Sequence, residues 1–210
     1  MKHSEGLEAG YASQAAGSPR LRLESSTDTE ESTVPRRPII GIMGAGEPGP
    51  GSAENARRLG QLVAEAGWIL LTGGRPAGVM EAASAGAKQV PGSLTIGILP
   101  TGMEGPVSQH VDIAVFTGIG EARNAINVLT SDVVVACGVE GPGTASEVAL
   151  ALRTGRPTVI LSASPAASAF FNAIARGSAL HEAPTPEAVI TIIEQDLGVA
   201  RWRASLSVPG

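Results

Sequence analysis

The chain has 210 residues, 43% hydrophobic and 17% charged, which fits one globular domain with a large core rather than a disordered polypeptide. A net charge of −5 gives no basic footprint for nucleic acid, and two Trp, one Tyr and three Phe are too few for a base-stacking surface. No apolar run approaches a membrane span without a Gly or Pro break, so no transmembrane helix is expected. A single cysteine suits a reducing cytoplasm and excludes an internal disulfide.

Residues 1–35 differ from everything after them. They are rich in Ser, Glu, Thr and Gly, and Ser25 to Thr33 is almost wholly polar. Such a stretch buries too little surface to offset ordering entropy, so it is expected to be a disordered extension. It has no apolar core of a secretory signal, and its six acids argue against an organellar transit peptide. A ligand-binding domain is expected over 36–198, with a C-terminal tail at 199–210.

From Pro38 onward short apolar runs alternate with helical patterns. Pro38 to Gly44 reads as a strand, and Ser52 as the cap of a helix to Ala66, with Leu59, Leu62, Val63 and Ala66 on one face. Trp68 to Leu71 is a strand, Val79 to Lys88 a helix, and Thr95–Leu99 and Asp112 to Phe116 two further strands. A helix from about Gly120 to Thr130 leads to a strand at Val133 to Ala136. The helix Thr144 to Arg153 ends at Gly155, a good terminating residue, and Pro157 to Leu161 returns as a strand. Ser164 to Ala175 and Pro186 to Leu197 read as closing helices. Strands apolar throughout, alternating with helices, indicate an α/β fold: a Rossmann-like, doubly wound parallel sheet in a single domain. Ligands of such sheets bind beyond the carboxyl ends of the strands.

The chemistry-bearing residues cluster in the turns after strands. Gly138 to Glu147 places a glycine-rich corner between a buried strand and a helix, where free N–H groups and the helix dipole attract an anion. Its expected binding residues are Gly141, Pro142, Gly143, Thr144 and Glu147. Thr72, Gly73, Gly74 and Arg75 form a second corner, joining close backbone approach to a guanidinium suited to phosphate. Arg123, Asn124 and Asn127 open a helix, with amides fitted to a heterocycle edge. Gly44 and Gly46 lie in Gly44-Ala-Gly-Glu-Pro-Gly49, which matches the dinucleotide fingerprint as a string. Pro48 and Pro50 delay the helix, however, and no acid follows the second strand, so the loop is expected to line a different ligand's pocket. Simpler roles stand beside these: Arg75 as a solvated turn residue, the Asn residues as caps, and Glu147 as capping-box partner of Thr144. Cys137 reads as a packing residue, and His110 and His181 lack metal-ligand spacing, so no metal ligand is expected from protein side chains.

The paired signatures Leu71-Thr-Gly-Gly-Arg75 with Gly78-Val-Met-Glu-Ala82, and Gly141-Pro-Gly-Thr-Ala-Ser-Glu147, resemble the LOG-type, or lysine-decarboxylase-like, Rossmann family from about Pro38 to Leu197. Within it, Ile39-Ile-Gly-Ile-Met-Gly44, Gly67 to Arg75, Thr95-Ile-Gly-Ile-Leu-Pro100 and Gly141 to Leu152 are more similar to the molybdenum cofactor carrier and binding proteins. The resemblance implies a non-catalytic carrier that binds, protects and delivers the molybdenum cofactor, a phosphorylated pterin, with molybdoenzymes as recipients. It implies a homodimer or homotetramer, for which the alanine-rich stretches at 81–87 and 148–152 are the expected interface. The alternative it implies is a nucleoside 5′-monophosphate phosphoribohydrolase with Arg123 and Glu147 as catalytic residues, or a nucleotide-sensing module. Against the hydrolase pattern, Val139 and Glu140 stand where it has Pro-Gly, and Asn124 where Lys follows the Arg.

Overall fold

A computed structural model describes residues 36–201; the segments 1–35 and 202–210, with the extension and most of the tail expected there, lie outside the described residues. Seven parallel strands form one sheet in the order β4-β3-β2-β1-β5-β6-β7. They are β1 (Ile39–Met43), β2 (Ile69–Thr72), β3 (Thr95–Leu99), β4 (Ile113–Phe116), β5 (Val133–Cys137), β6 (Thr158–Leu161) and β7 (Leu180–Ala183). The helices are α1 (Ser52–Glu65), α2 (Gly78–Ala87), α3 (Asn124–Thr130), α4 (Pro142–Arg153), α5 (Pro165–Ala175) and α6 (Pro186–Thr191). The Rossmann-like α/β architecture read from the sequence is present.

Alternate residues of each central strand feed opposite cores. Val133, Val135 and Cys137 of β5 join Ile40, Ile42, Leu70, Trp68 and Leu161 beneath α1, α2 and α6. Val134 meets Met43, Leu71, Val128 and Ala151 on the other side, and Ala136 meets Val148, Ile160 and Phe171 there. Both faces of the sheet centre are thereby sealed, which is why β1, β2 and β5 carry hardly a polar residue.

Helices α1 and α2 approach through two glycines. A Cβ on Gly60 would lie 2.0 Å from Ala83 O, and one on Gly86 would lie 1.9 Å from Arg57 O. This contact consumes the alanine-rich stretch expected at a subunit interface: Ala82, Ala83, Ala85 and Ala87 are all buried within the chain. The exposed large apolar side chains lie elsewhere, five of them being Ile113 and Val115 on β4, Ile119, and Ile126 and Leu129 on α3.

Four local readings change. The edge strand β7 went unread because Leu180-His-Glu-Ala183 has no apolar run, its outer side being solvated. Gly51, not Ser52, is the cap of α1, with φ +80° and no side-chain cap hydrogen bond. The expected helix from Gly120 begins as a tighter 3-10 turn, Gly120–Arg123, before α3. After α6 the chain widens into a π-type turn at Ile192–Asp196. Past it, Val199 N donates to Ile193 O (3.0 Å) and Trp68 Nε1 donates to Ala200 O (2.9 Å), so the start of the expected tail runs along the fold.

Candidate functional site

The chain order reverses between β1 and β5, which pair directly while their onward connections run to opposite sides of the sheet. The turns leaving their carboxyl ends therefore separate, and a crevice opens between them. A cleft of about 210 Å³ occupies this point, room for one end of a ligand rather than a whole drug-sized molecule. Gly44 and Gly46 from the β1 turn, Gly73 and Arg75 from the β2 turn, Arg123 and Asn124 from the start of α3, and Gly141, Pro142, Gly143, Thr144 and Glu147 from α4 all line it.

The α4 end is built for an anion. Gly141 caps the helix in extended conformation without a side-chain cap, and Pro142 brings no N–H to the first position. The first helical hydrogen bond is Ala145 N to Gly141 O, at 3.1 Å. The N–H groups of Gly143 and Thr144 are thus left for an outside acceptor, at the positive end of the helix dipole. Because Thr144 lies two residues inside the helix, it does not cap, and the Thr-x-x-Glu capping box is absent.

Arg123 is 4% exposed. Its Nη1 donates to Asn124 Oδ1 at 2.9 Å and lies 3.6 Å from Glu147 Oε1. Its Nε is buried with no acceptor, and so is Nε of Arg75. A Cβ on Gly73 would stand 3.0 Å from Arg123 Nη2, so that glycine makes room for the guanidinium. A Cβ on Gly46 would stand 3.6 Å from Arg75 Nη2, which brings the second cation to the β1 turn. Burial lowers the Arg123 pKa, with Glu147 and Glu121 opposing the shift and Arg75 adding to it.

Glu147, 5% exposed, receives Asn127 Nδ2 on Oε1 at 2.8 Å. Burial raises its carboxyl above the usual range, against the opposing pull of Asn127 and Arg123. Asn124 Nδ2 donates to Ser146 Oγ at 3.2 Å, and that hydroxyl donates to Gly143 O at 2.7 Å. The α3 amides therefore tie the arginine to the α4 turn.

Three expected binding residues stand behind the cleft wall. Thr72 is fully buried, and its Oγ1 accepts from Gly74 N at 3.1 Å. Gly74, at φ +74°, presses against Gly97, where a Cβ would fall 2.9 Å from the Gly97 Cα. Asn127 is fully buried against Glu147. Five lining residues fall outside the set expected from the sequence: Ile42, Met43 and Ala45 at the end of β1, with Met80 and Glu121. Met80, 3% exposed, has the helical spacing of a core residue, and no sequence signal separates it from one. Glu121 was visible only as a neighbour of Arg123.

Glu140, just before the α4 turn, does not line the cleft. Its carboxylate accepts from Gly49 N at 2.6 Å and Ser52 Oγ at 2.7 Å. Cys137 is buried beneath, its thiol pushed up to about 12 by burial and then by the Glu140 charge, so it remains protonated.

Comparison with known proteins gives a consistent picture. The model of the SLOG cluster4 family matches residues 37–190. The structure is similar to that of the molybdenum cofactor binding protein from Rippkaea orientalis, at 50% identity and a TM-score of 0.74, covering 77% of this chain and 98% of that one. It is also similar to the molybdenum cofactor carrier protein of Chlamydomonas reinhardtii, at 44% identity and a TM-score of 0.71, covering 78% and 99%. An uncharacterized protein of Archaeoglobus fulgidus is 43% identical over 117 residues, 56% of this chain and 75% of that protein.

Proposed function

The chain belongs to the SLOG cluster4 family, and from that premise we propose that it binds, protects and delivers the molybdenum cofactor without chemically altering it. One observation carries the reading: Arg123 is held almost wholly out of water with its Nε unpartnered, beside the free N–H groups of the α4 turn. A buried cation with unmet donors is costly unless an anion completes it. The phosphate or an anionic oxygen of the cofactor meets that requirement. The near-complete alignment with two proteins named for binding or carrying this cofactor favours it over other phosphorylated ligands.

In this reading Gly143 and Thr144 N–H, with Arg123 and Arg75, hold the anionic end. Asn124 and Glu147 address pterin nitrogens, with Asn127 fixing Glu147 from behind. Thr72 and Gly74 shape the β2 turn from behind the wall. We place the protein in the cytoplasm as a homodimer or homotetramer that hands its cargo to molybdoenzymes. Among the described residues, no helix is long and apolar enough to cross a membrane.

Native mass spectrometry of freshly purified protein, searched for molybdenum and pterin, tests the reading. Bound cofactor, able to reconstitute a cofactor-free molybdoenzyme, is the expected result. Protein that neither carries nor protects the cofactor would overturn it.

A further inference from the structure

The Glu140 carboxylate occupies a place that the fold ordinarily leaves to a ligand. In doubly wound sheets a pyrophosphate lies on the turn after the first strand, against the start of the first helix. Here the start of α1 has no side-chain cap of its own. Two donors at that turn, Gly49 N and Ser52 Oγ, are instead taken by Glu140 from across the crevice. The carboxylate has a fitted seat. A Cβ on Gly49 would approach Glu140 Oε1 to 2.8 Å, and one on Gly138 to 3.0 Å. Neither Gly49, Ser52 nor Glu140 lines the cleft, which stops at Gly46 and Gly141.

We propose that Glu140 is a built-in anion that sets ligand specificity: it closes the α1 end to phosphate and so selects ligands ending in a single phosphate over those extended through a pyrophosphate. A second phosphate growing from the α4 turn toward α1 meets a negative charge on donors already used, and like charges brought together disfavour binding. Applied to the carrier reading, on which this step alone rests, the protein takes the pterin cofactor as its monophosphate and rejects a form lengthened by a nucleotide.

The probes are inorganic phosphate and inorganic pyrophosphate, titrated calorimetrically against the full chain, Glu140→Gln and Glu140→Ala. Gln keeps the shape and removes the charge; Ala opens the seat. Both variants are expected to gain pyrophosphate affinity by about tenfold or more, with phosphate affinity changing by less than about threefold. A tether that only stabilises the loop predicts a lower melting temperature in Glu140→Ala and an unchanged pyrophosphate-to-phosphate ratio in both. That outcome, or any failure of the folded Gln variant to gain pyrophosphate affinity, overturns the proposal. Cofactor retention by the unmodified protein is scored separately. Its absence alongside a shifted ratio would remove the carrier reading and leave the role of Glu140 standing.

Discussion

Arg123 and Glu147 lie 3.6 Å apart, both more than nine-tenths buried, and burial outweighs their attraction at each end. Attraction alone would lower the carboxyl pKa and raise the guanidinium pKa; instead the first rises and the second falls. The pair is held by the fold at a cost in desolvation.

The sign of the resulting pH dependence follows from linkage. A carboxyl whose folded pKa is raised holds its proton longer in the folded state, so its contribution to stability declines as pH rises from the ordinary Glu range through the raised value. Asp112 and Asp132 have lowered pKa values, opposed by burial but set by Lys88 and Thr95 and by Arg36 and Ile39, so they contribute the opposite slope at the acid end. Glu147→Gln isolates the first effect. Urea unfolding over a pH series is expected to show the variant gaining on the parent as pH rises through that window, then levelling. A constant difference at every pH would mean that Glu147 titrates normally.

Arg123→Ala removes the buried cation from the anion end. Ligand affinity is expected to fall by about 1.5–3 kcal/mol, the scale of a charge-assisted hydrogen bond. The measurement is a binding isotherm with circular dichroism to verify the fold. Unchanged affinity in a folded variant would put the anion elsewhere.

The α1–α2 contact makes a prediction about stability alone. Gly60→Ala or Gly86→Ala drives a methyl into a facing backbone carbonyl group, Ala83 or Arg57 respectively. Helix propensity favours Ala by up to about 1 kcal/mol, yet overpacking against rigid backbone costs about 1–3 kcal/mol. A net loss is expected in denaturant unfolding, and a stabilised variant would show that the helices can separate freely.

What the sequence made legible follows from where the physical signal is local. β1, β2 and β5 were readable because burial on both faces leaves them apolar almost throughout, Thr72 at the end of β2 being the exception. Arg123, the Gly73 turn and the Gly141 corner were readable because glycine and charge gather after strands, where the fold puts ligands. β7 was hidden, since an edge strand tolerates His181 and Glu182. The direction of Glu140 was hidden for a different reason: its partner Ser52 is 88 residues away, and nothing nearby reveals which way the carboxylate turns. The alanines of α2 suggested a subunit contact because their true neighbour, α1, meets them through Gly60 and Gly86, a pairing between two helices that no local pattern marks.

Assembly is expected to use exposed apolar side chains rather than α2. Ile113 and Val115 on the edge strand β4, and Ile119, Ile126 and Leu129 before and on α3, are each at least one-third exposed. Light scattering at micromolar concentration is expected to give a dimer or tetramer, and Leu129→Lys to shift it toward monomer. A monomeric parent would remove the idea, and an unaffected oligomer in Leu129→Lys would move the interface.

The deciding prediction separates a carrier from a nucleotide hydrolase. Both readings place an anion at the α4 turn, so binding alone does not distinguish them. Hydrolysis further requires Glu147 to act on the ligand, and Asn127 engages only its Oε1, so the carboxylate is placed to touch a ligand in either reading. The sequence difference is Asn124, bonded to the Arg123 guanidinium and standing where the hydrolase pattern has Lys. Incubated with AMP or other nucleoside monophosphates, the protein is expected to release little or no base. It is expected to preserve the capacity of the molybdenum cofactor to reconstitute a cofactor-free molybdoenzyme, with that protection weakened in Arg123→Ala. Rapid base release that disappears in Glu147→Gln, without cofactor retention, would reverse the assignment. In that case the raised carboxyl of Glu147 would be the acid–base group of an enzyme.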